Sequence, residues 1–422
     1  MTSFAASLGR PTGIVLALAM LAGATFVARP VEAKGPPEPV RFATFNASLN
    51  RSAAGQALAD LSVPDNPQAA AVAEIIQRTR PEVLLINEFD YEPDNALATA
   101  FQDNYLSVSH NGTTPIEYPY VYIAPSNTGI PSGLDLNNDG VVGGPDDAFG
   151  FGFFPGQYGM AVFSQHPIRY EEIRTFQTFR WADMPGALLP IDPATGESWY
   201  SEAELEVLRL SSKSHWDVPI EIGGTDVHFL VSHPTPPVFD TAEDRNGRRN
   251  HDEIRFWADY VMPGAGDYIY DDDGRAGGLK PGAKFVIAGD LNSDPLDGDS
   301  IPGSAQQLLD HPRINTRVTP SSAGGPYWAA VQGGLNAVHR SDPAHDTADF
   351  CDTAVAPPCS GPGNLRVDYV LPSQSLRITD AAVFWPTGDD PLVYLTGSGF
   401  PVPSSDHRLV WVDVIVPGST RS

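Results

Sequence analysis

Short apolar runs recur along this chain, and eight polar side chains of catalytic type sit where they stop: Asn46, Glu88, His233, Asp290, Asn292, Asp368, Asp406 and His407. Apolar runs of about four to eight residues bounded by turn residues read as buried strands. In an α/β sandwich, strand ends on one edge of the sheets share a cleft. One polar residue at a strand end says little, whereas eight spread over most of the chain point to a common site. The most telling run is Lys284 to Ile287 followed by Ala288-Gly289-Asp290-Leu291-Asn292-Ser293-Asp294-Pro295. Side chains at i and i+2 of an extended segment point the same way, so the Asp290 carboxylate and the Asn292 amide are expected to converge. The plainer reading of the pair is an Asx turn closing the strand.

The remaining elements follow the same logic. Val40 to Phe45 reads as a strand ended by Asn46. Asn66 caps a helix whose first turn holds Pro67, whose apolar face carries Ala70, Ala73, Ile75 and Ile76, and which Pro81 stops. Glu82 to Asn87 and Met160 to Ser164 read as strands. Val218–Ile222 and Val227–Ser232 form a hairpin around Gly223-Gly224. A helix runs from near Asn246 to Val261, and strands are expected at Val367–Leu371 and Leu409–Val416.

Composition bounds the setting. Arg10, the apolar run Gly13 to Phe26 and the small residues of Val31-Glu32-Ala33 read as a secretory signal peptide spanning 1–33. The alternative is a retained membrane anchor. No other segment has the length or apolarity of a membrane span, so the expected location is secreted or periplasmic. The net charge of −26 repels polyanions at long range and argues against tight nonspecific nucleic-acid binding. It leaves open an enzyme that meets phosphate through metal ions. The two cysteines, Cys351 and Cys359, form a disulfide in an exported chain or else stay as two thiols.

Six blocks then carry a resemblance. T-F-N-A-S at Asn46, L-L-I-N-E-F at Glu88, F-L-V-S-H-P at His233, I-A-G-D-L-N-S-D-P at Asp290, R-V-D-Y-V-L at Asp368 and S-S-D-H-R-L-V at His407 resemble, in order, the signature blocks of the endonuclease/exonuclease/phosphatase superfamily. The resemblance covers residues 41 to about 416. It implies a four-layer α/β sandwich of two packed mixed β-sheets flanked by helices. It also implies a single domain over 34–422, with loop insertions near 111–154 and 323–364. The activity it implies is divalent-metal-dependent hydrolysis of a phosphoester, of the nuclease or phosphodiesterase type, by in-line attack of an activated water. Mg2+ or Mn2+ would be held by Glu88 with Asn46 and Asp406. Asp290 would activate the water and Asn292 would hold it or a phosphoryl oxygen. His407 would stabilise developing charge, with Asp368 fixing its tautomer. His233 would be the acid for the leaving oxygen, although Pro234 replaces the residue usual after it.

Four readings stand outside that set. Asp135, Asn137, Asp139, the Val141 carbonyl and Asp146 fit positions 1, 3, 5, 7 and 12 of a calcium loop, which would bind Ca2+ structurally; the alternative is an acidic surface loop. Arg245, Arg248 and Arg249 are a basic island with bidentate potential toward phosphate, or a solvated helix start. Tyr158 is a candidate cleft residue. Competing functions are a phosphomonoesterase or lipid-head-group (sphingomyelinase-like) hydrolase, and a noncatalytic calcium-dependent binding module. The substrate is a nucleic acid or a small or lipid phosphodiester, and no stable protein partner is implied. A Ser-His-Asp esterase lacks its Gly-x-Ser-x-Gly elbow.

Overall fold

Alternate residues of the apolar runs enter different cores, which makes these runs strands covered on both faces. In a computed structural model that describes residues 38–351, 358–397, 401–417 and 419, the first half of the chain contains Pro39–Asn46 (β1), Gln56–Leu61 (α1), Pro67–Thr79 (α2), Val83–Asn87 (β2), Ala96–Phe101 (α3), Tyr120–Tyr122 (β3), Met160–Ser164 (β4), Arg174–Thr175 (β5) and Glu202–Leu205 (α4). The second half contains His215–Ile222 (β6), Thr225–Ser232 (β7), Arg245–Val261 (α5), Lys284–Asp290 (β8), Gln306–Leu309 (α6), Gly324–Gln332 (α7), Ala348–Asp349 (β9), Asn364–Leu365 (β10), Asp368–Pro372 (β11), Arg377–Val383 (β12) and Val410–Ile415 (β13). The candidate signal peptide lies outside the described residues.

Two mixed sheets result. The first has the order β12-β13-β1-β2-β4-β3, the second β11-β8-β7-β6-β5, and β9 and β10 form a separate ribbon. Between the sheets, Phe42, Leu85, Val162 and Val412 meet Trp216, Val218, Phe229, Val286 and Val370. The alternate residues Ala43, Phe45, Leu84 and Ile86 pack outward under Val72, Ile75 and Ile76 of α2 and Phe101 of α3. Leu230, Phe285 and Ile287 pack outward under Ile254, Trp257 and Tyr260 of α5. Helix, sheet, sheet and helix thus form the four layers, with roughly 1.5–3 kcal/mol of transfer free energy for each large apolar side chain buried.

Local chemistry sets the boundaries. The Asn66 side chain accepts from the Ala69 amide at 3.0 Å and Pro67 occupies the first turn of α2. Gly223 and Gly224 both have positive φ in the β6–β7 turn, the conformation that a two-residue hairpin matched to strand twist requires. Cys351 and Cys359 are disulfide-bonded. No helix among the described residues is long and apolar enough to cross a membrane.

Candidate active site

The topology brings the predicted groups to one edge. β1 and β2 are parallel with Asn46 opposite Asn87, so Asn46 and Glu88 leave the first sheet together. β7 and β8 are parallel in the second sheet, which places His233 beside Asp290. An antiparallel strand starts where its neighbour ends. β11 pairs with β8, Asp368 opposite Asp290, and β13 pairs with β1; Asp368, Asp406 and His407 therefore stand at the same edge. The register also explains the Gly of the G-D-L-N run. A Cβ at Gly289 would lie 2.1 Å from the Ser232 carbonyl oxygen, so only glycine permits this approach of β7 and β8.

Asp290 is the hub. Its Oδ2 accepts from Asn46 Nδ2 at 3.0 Å and lies 3.3 Å from His233 Nε2 and 3.7 Å from His407 Nε2. Its Oδ1 accepts from the Asn292 amide at 2.9 Å, and its own amide donates to Asn87 Oδ1 at 3.2 Å. Burial pushes this carboxyl up. The charge on His407 and the hydrogen bond from His233 outweigh burial and hold it well below the usual carboxylate range.

His407 Nδ1 meets Asp368 Oδ2 at 2.9 Å. Burial disfavours the imidazolium, but Asp368 and then Asp290 raise the His407 pKa well above its ordinary value. His233 behaves oppositely. Burial first, then the Lys213 charge, lower it to about 4. With Nε2 donating to Asp290, its Nδ1 is a buried lone pair without a partner among the described residues. His233 is thus held as a neutral imidazole at neutral pH, with its Nε2 turned to Asp290.

Glu88 accepts from Asn46 at 3.1 Å through Oε1 and from Asn50 at 2.8 Å through Oε2. Its pKa is raised by burial and by repulsion from Asp406, although the residue keeps an exposed edge. Asp290, Asp368 and His407 each offer a ligand atom within 4.8 Å of the others. The carboxylates of this group suit a hard divalent cation such as Mg2+, whereas His407, while protonated between them, offers it no lone pair.

The sequence profile of the endonuclease/exonuclease/phosphatase family matches residues 43–407, from within β1 to the histidine beside Asp368. The chain belongs to the endonuclease/exonuclease/phosphatase family. Among solved structures it is similar to a family protein from Beutenbergia cavernae DSM 12333, at 17% identity over 90% of this chain and 72% of that one with TM-score 0.46. TDP2 from Caenorhabditis elegans is 14% identical over 90% of this chain and 74% of that one, TM-score 0.42. Sphingomyelinase C from Streptomyces griseocarneus is 14% identical over 89% of this chain and 99% of that one, TM-score 0.43. A search of curated proteins found no match.

Several expected features of the family site differ in detail. β8 ends at Asp290, and Asn292 has a positive φ of 51°, so the two side chains are not in extended i, i+2 register. The Asn292 amide group donates to the Pro234 carbonyl at 3.1 Å, and its backbone closes the Asx turn on Asp290. The Arg island is structural. Arg249 donates to the Leu210, Phe149, Arg209 and Ser211 carbonyls, Arg248 to the Glu243 carbonyl, and Arg245 pairs with the Glu243 carboxylate. Tyr158 is placed at the edge, its amide on Asp90 Oδ1 at 3.1 Å. In the 135–146 loop, Asp135 accepts from the Asp139 and Gly140 amides and Asp139 from the Val141 amide. The residue that turns inward at its end is Asp147, accepting from Leu136 and Gly143, rather than Asp146. Asp135, Asp139 and Asp146 do not form a convergent ligand group among the described residues.

Five supporting residues went unread. Asn50 holds Glu88. Ser405 donates to the Asn46 carbonyl at 2.7 Å and accepts from the His407 amide at 3.1 Å. Thr347 donates to Asp368 at 2.9 Å, and Phe350 meets the His407 ring edge-on; both belong to the 323–364 segment expected to be an insertion. Lys213 stands two residues before β6, whose His215 faces Ser232. The hairpin was expected to begin at Val218, which hid the position of Lys213 at this edge.

Proposed function

We propose that this chain is an exported, divalent-metal-dependent phosphoesterase acting on phosphodiester bonds. Membership of a family of phosphoesterase hydrolases supports the reaction class. The carrying observation is that Asp290, from the second sheet, shares hydrogen bonds or close contacts with Asn46 and His407 of the first and His233 of its own. Glu88, Asp406 and Asn46 would hold Mg2+ or Mn2+. Such an ion neutralises phosphate charge and lowers the pKa of water. The ionised Asp290 orients the attacking water and takes its proton. His407, kept protonated between Asp368 and Asp290, donates Nε2–H to a non-bridging oxygen as charge develops. Neutral His233 keeps Asp290 aimed.

A substrate panel tests this: plasmid, single-stranded DNA, RNA, bis-nitrophenyl phosphate, nitrophenyl phosphate and sphingomyelin, each with Mg2+, Mn2+ or Ca2+. Diester hydrolysis that EDTA abolishes and Mg2+ or Mn2+ restores is the expected result. Metal-independent turnover, or none on any substrate, refutes the reading.

A lipid-head-group substrate is the second reading, favoured by exposed rings that the sequence did not reveal. Phe153 is 65% and Phe239 88% exposed, and Phe151 packs edge-on to Phe153. They lie on the segments leading to Tyr158 and away from His233. Faster cleavage of sphingomyelin than of bis-nitrophenyl phosphate selects this alternative. For the separate 135–146 loop we propose Ca2+ as an ordering ion that would draw together the carboxylates of Asp135, Asp139 and Asp146, a reading that rests on their spacing in the sequence. Calorimetry without Ca2+ uptake at that loop removes it.

A further inference from the structure

Lys213 is a charged side chain with no assigned task. The residue is 7% exposed. Among the described residues its ammonium makes no hydrogen bond and no ion pair with any protein group, and it is not one of the sealed polar atoms. A buried, unpaired cation costs several kcal/mol in general, so an ammonium kept this way calls for an anion. Burial lowers its pKa and Arg249 adds to the lowering, while the charges of Glu253, Glu88 and Asp290 oppose it. Glu253 is already engaged, since its two oxygens accept from the Ser212 and Thr235 amides at 2.6 Å each. These two bonds clamp the chain on both sides of the ammonium, one residue before Lys213 and two after His233. The backbone holding the lysine is therefore fixed against α5 and beside His233, whose carbonyl accepts from the Ser212 hydroxyl at 3.4 Å.

We infer that Lys213 is a substrate-contact residue whose ammonium receives an anionic oxygen of the phosphate, on the side of the site where His233 stands. This deepens the phosphoester reading and rests on it. Placed there, the ammonium supplies the positive charge that neutral His233 lacks.

The chain's lysines are Lys34, Lys213, Lys280 and Lys284, so competitive acetylation read by peptide mass spectrometry can follow each. The full-length protein with Mg2+ is labelled with acetic anhydride, with and without inorganic phosphate. At phosphate about ten times its inhibition constant, Lys213 labelling slows roughly tenfold while Lys280 and Lys284 are unchanged. Unaltered Lys213 labelling at a phosphate concentration that inhibits turnover overturns the inference and leaves the phosphoester reading standing. If no phosphoester is cleaved and phosphate protects nothing, both are overturned. Lys213→Met supplies the second arm. kcat/KM falls about 10²-fold and the melting temperature stays level or rises, because an unpaired buried charge is removed. Lys213→Arg recovers part of the activity. A Lys213→Met enzyme with near-native turnover, or one whose activity loss only tracks lost stability, sinks the proposal.

Discussion

Asp290 gathers donors from three directions, and that geometry makes it sensitive to small changes. Asp290→Asn, Glu88→Ala and His407→Ala are each expected to lower turnover about 10³-fold or more, within the range of general acid–base and charge-stabilising groups. Far-UV circular dichroism and a cooperative melt should remain native. A purified variant retaining near-native turnover on bis-nitrophenyl phosphate contradicts the assignment. At this scale the sequence was legible where a group ends a buried strand, as Asn46, Glu88 and Asp290 do. It was less so where the backbone turns out of extended geometry. Ser48, Tyr158 and Asn292 all have positive φ, a conformation that non-glycine residues adopt at a cost of about 1–2 kcal/mol and that no strand pattern announces. Asn292 therefore points elsewhere than the i, i+2 rule directs.

At the scale of the element, the β9–β10 ribbon deserves testing because it braces His407. Ala348 bridges to His407, and Thr347 Oγ1 accepts from the Val367 and Asp368 amides at 3.0 and 2.9 Å while donating to Asp368. Thr347→Val strands two buried amides, at about 1–3 kcal/mol each. Urea unfolding should show a loss of that order together with reduced kcat, and Thr347→Ser should restore both. Replacing Cys351 and Cys359 by Ser opens the disulfide beside the ribbon. Chain-entropy arithmetic for so short a loop gives about 2.5 kcal/mol, again readable from the urea midpoint. Strands buried on both faces were visible in sequence as unbroken apolar runs. β3, β5, β9, β10 and β12 were not, because short or edge strands owe their extended state to a neighbour. β12 exposes Arg377, Thr379 and Asp380 and sends only Ile378, Ala381 and Val383 toward the core, too broken a pattern to read as a strand.

For the whole molecule, the order of the six blocks conveyed the four-layer fold, since each block is one strand plus the turn it delivers. The pH dependence of stability is a property of the same layering. His215 lies between β6 and α5, its ring 4.7 Å from Phe256 and 5.0 Å from Trp257. Burial lowers its pKa from 6.5 to about 4. The unfolded chain takes up a proton below pH 6.5 that the fold refuses until about pH 4. Its contribution is therefore complete above pH 6.5 and is lost as pH falls through that window, by on the order of 3 kcal/mol. Asp90, whose pKa burial raises to about 6, contributes the opposite slope. The measurement is accordingly the difference between the native chain and His215→Gln in chemical unfolding at pH 7 and pH 4.5. A difference that does not change with pH refutes it.

Asn46 and His407 reach Asp290 across the seam between the two sheets, and His407 reaches Asp368 in the same way. Each sheet's own ladder would survive a slip of one slab over the other by an ångström, yet every one of these contacts would break. Turnover is thus a gauge of slab alignment, and on gentle denaturation it should vanish while strand content still looks whole.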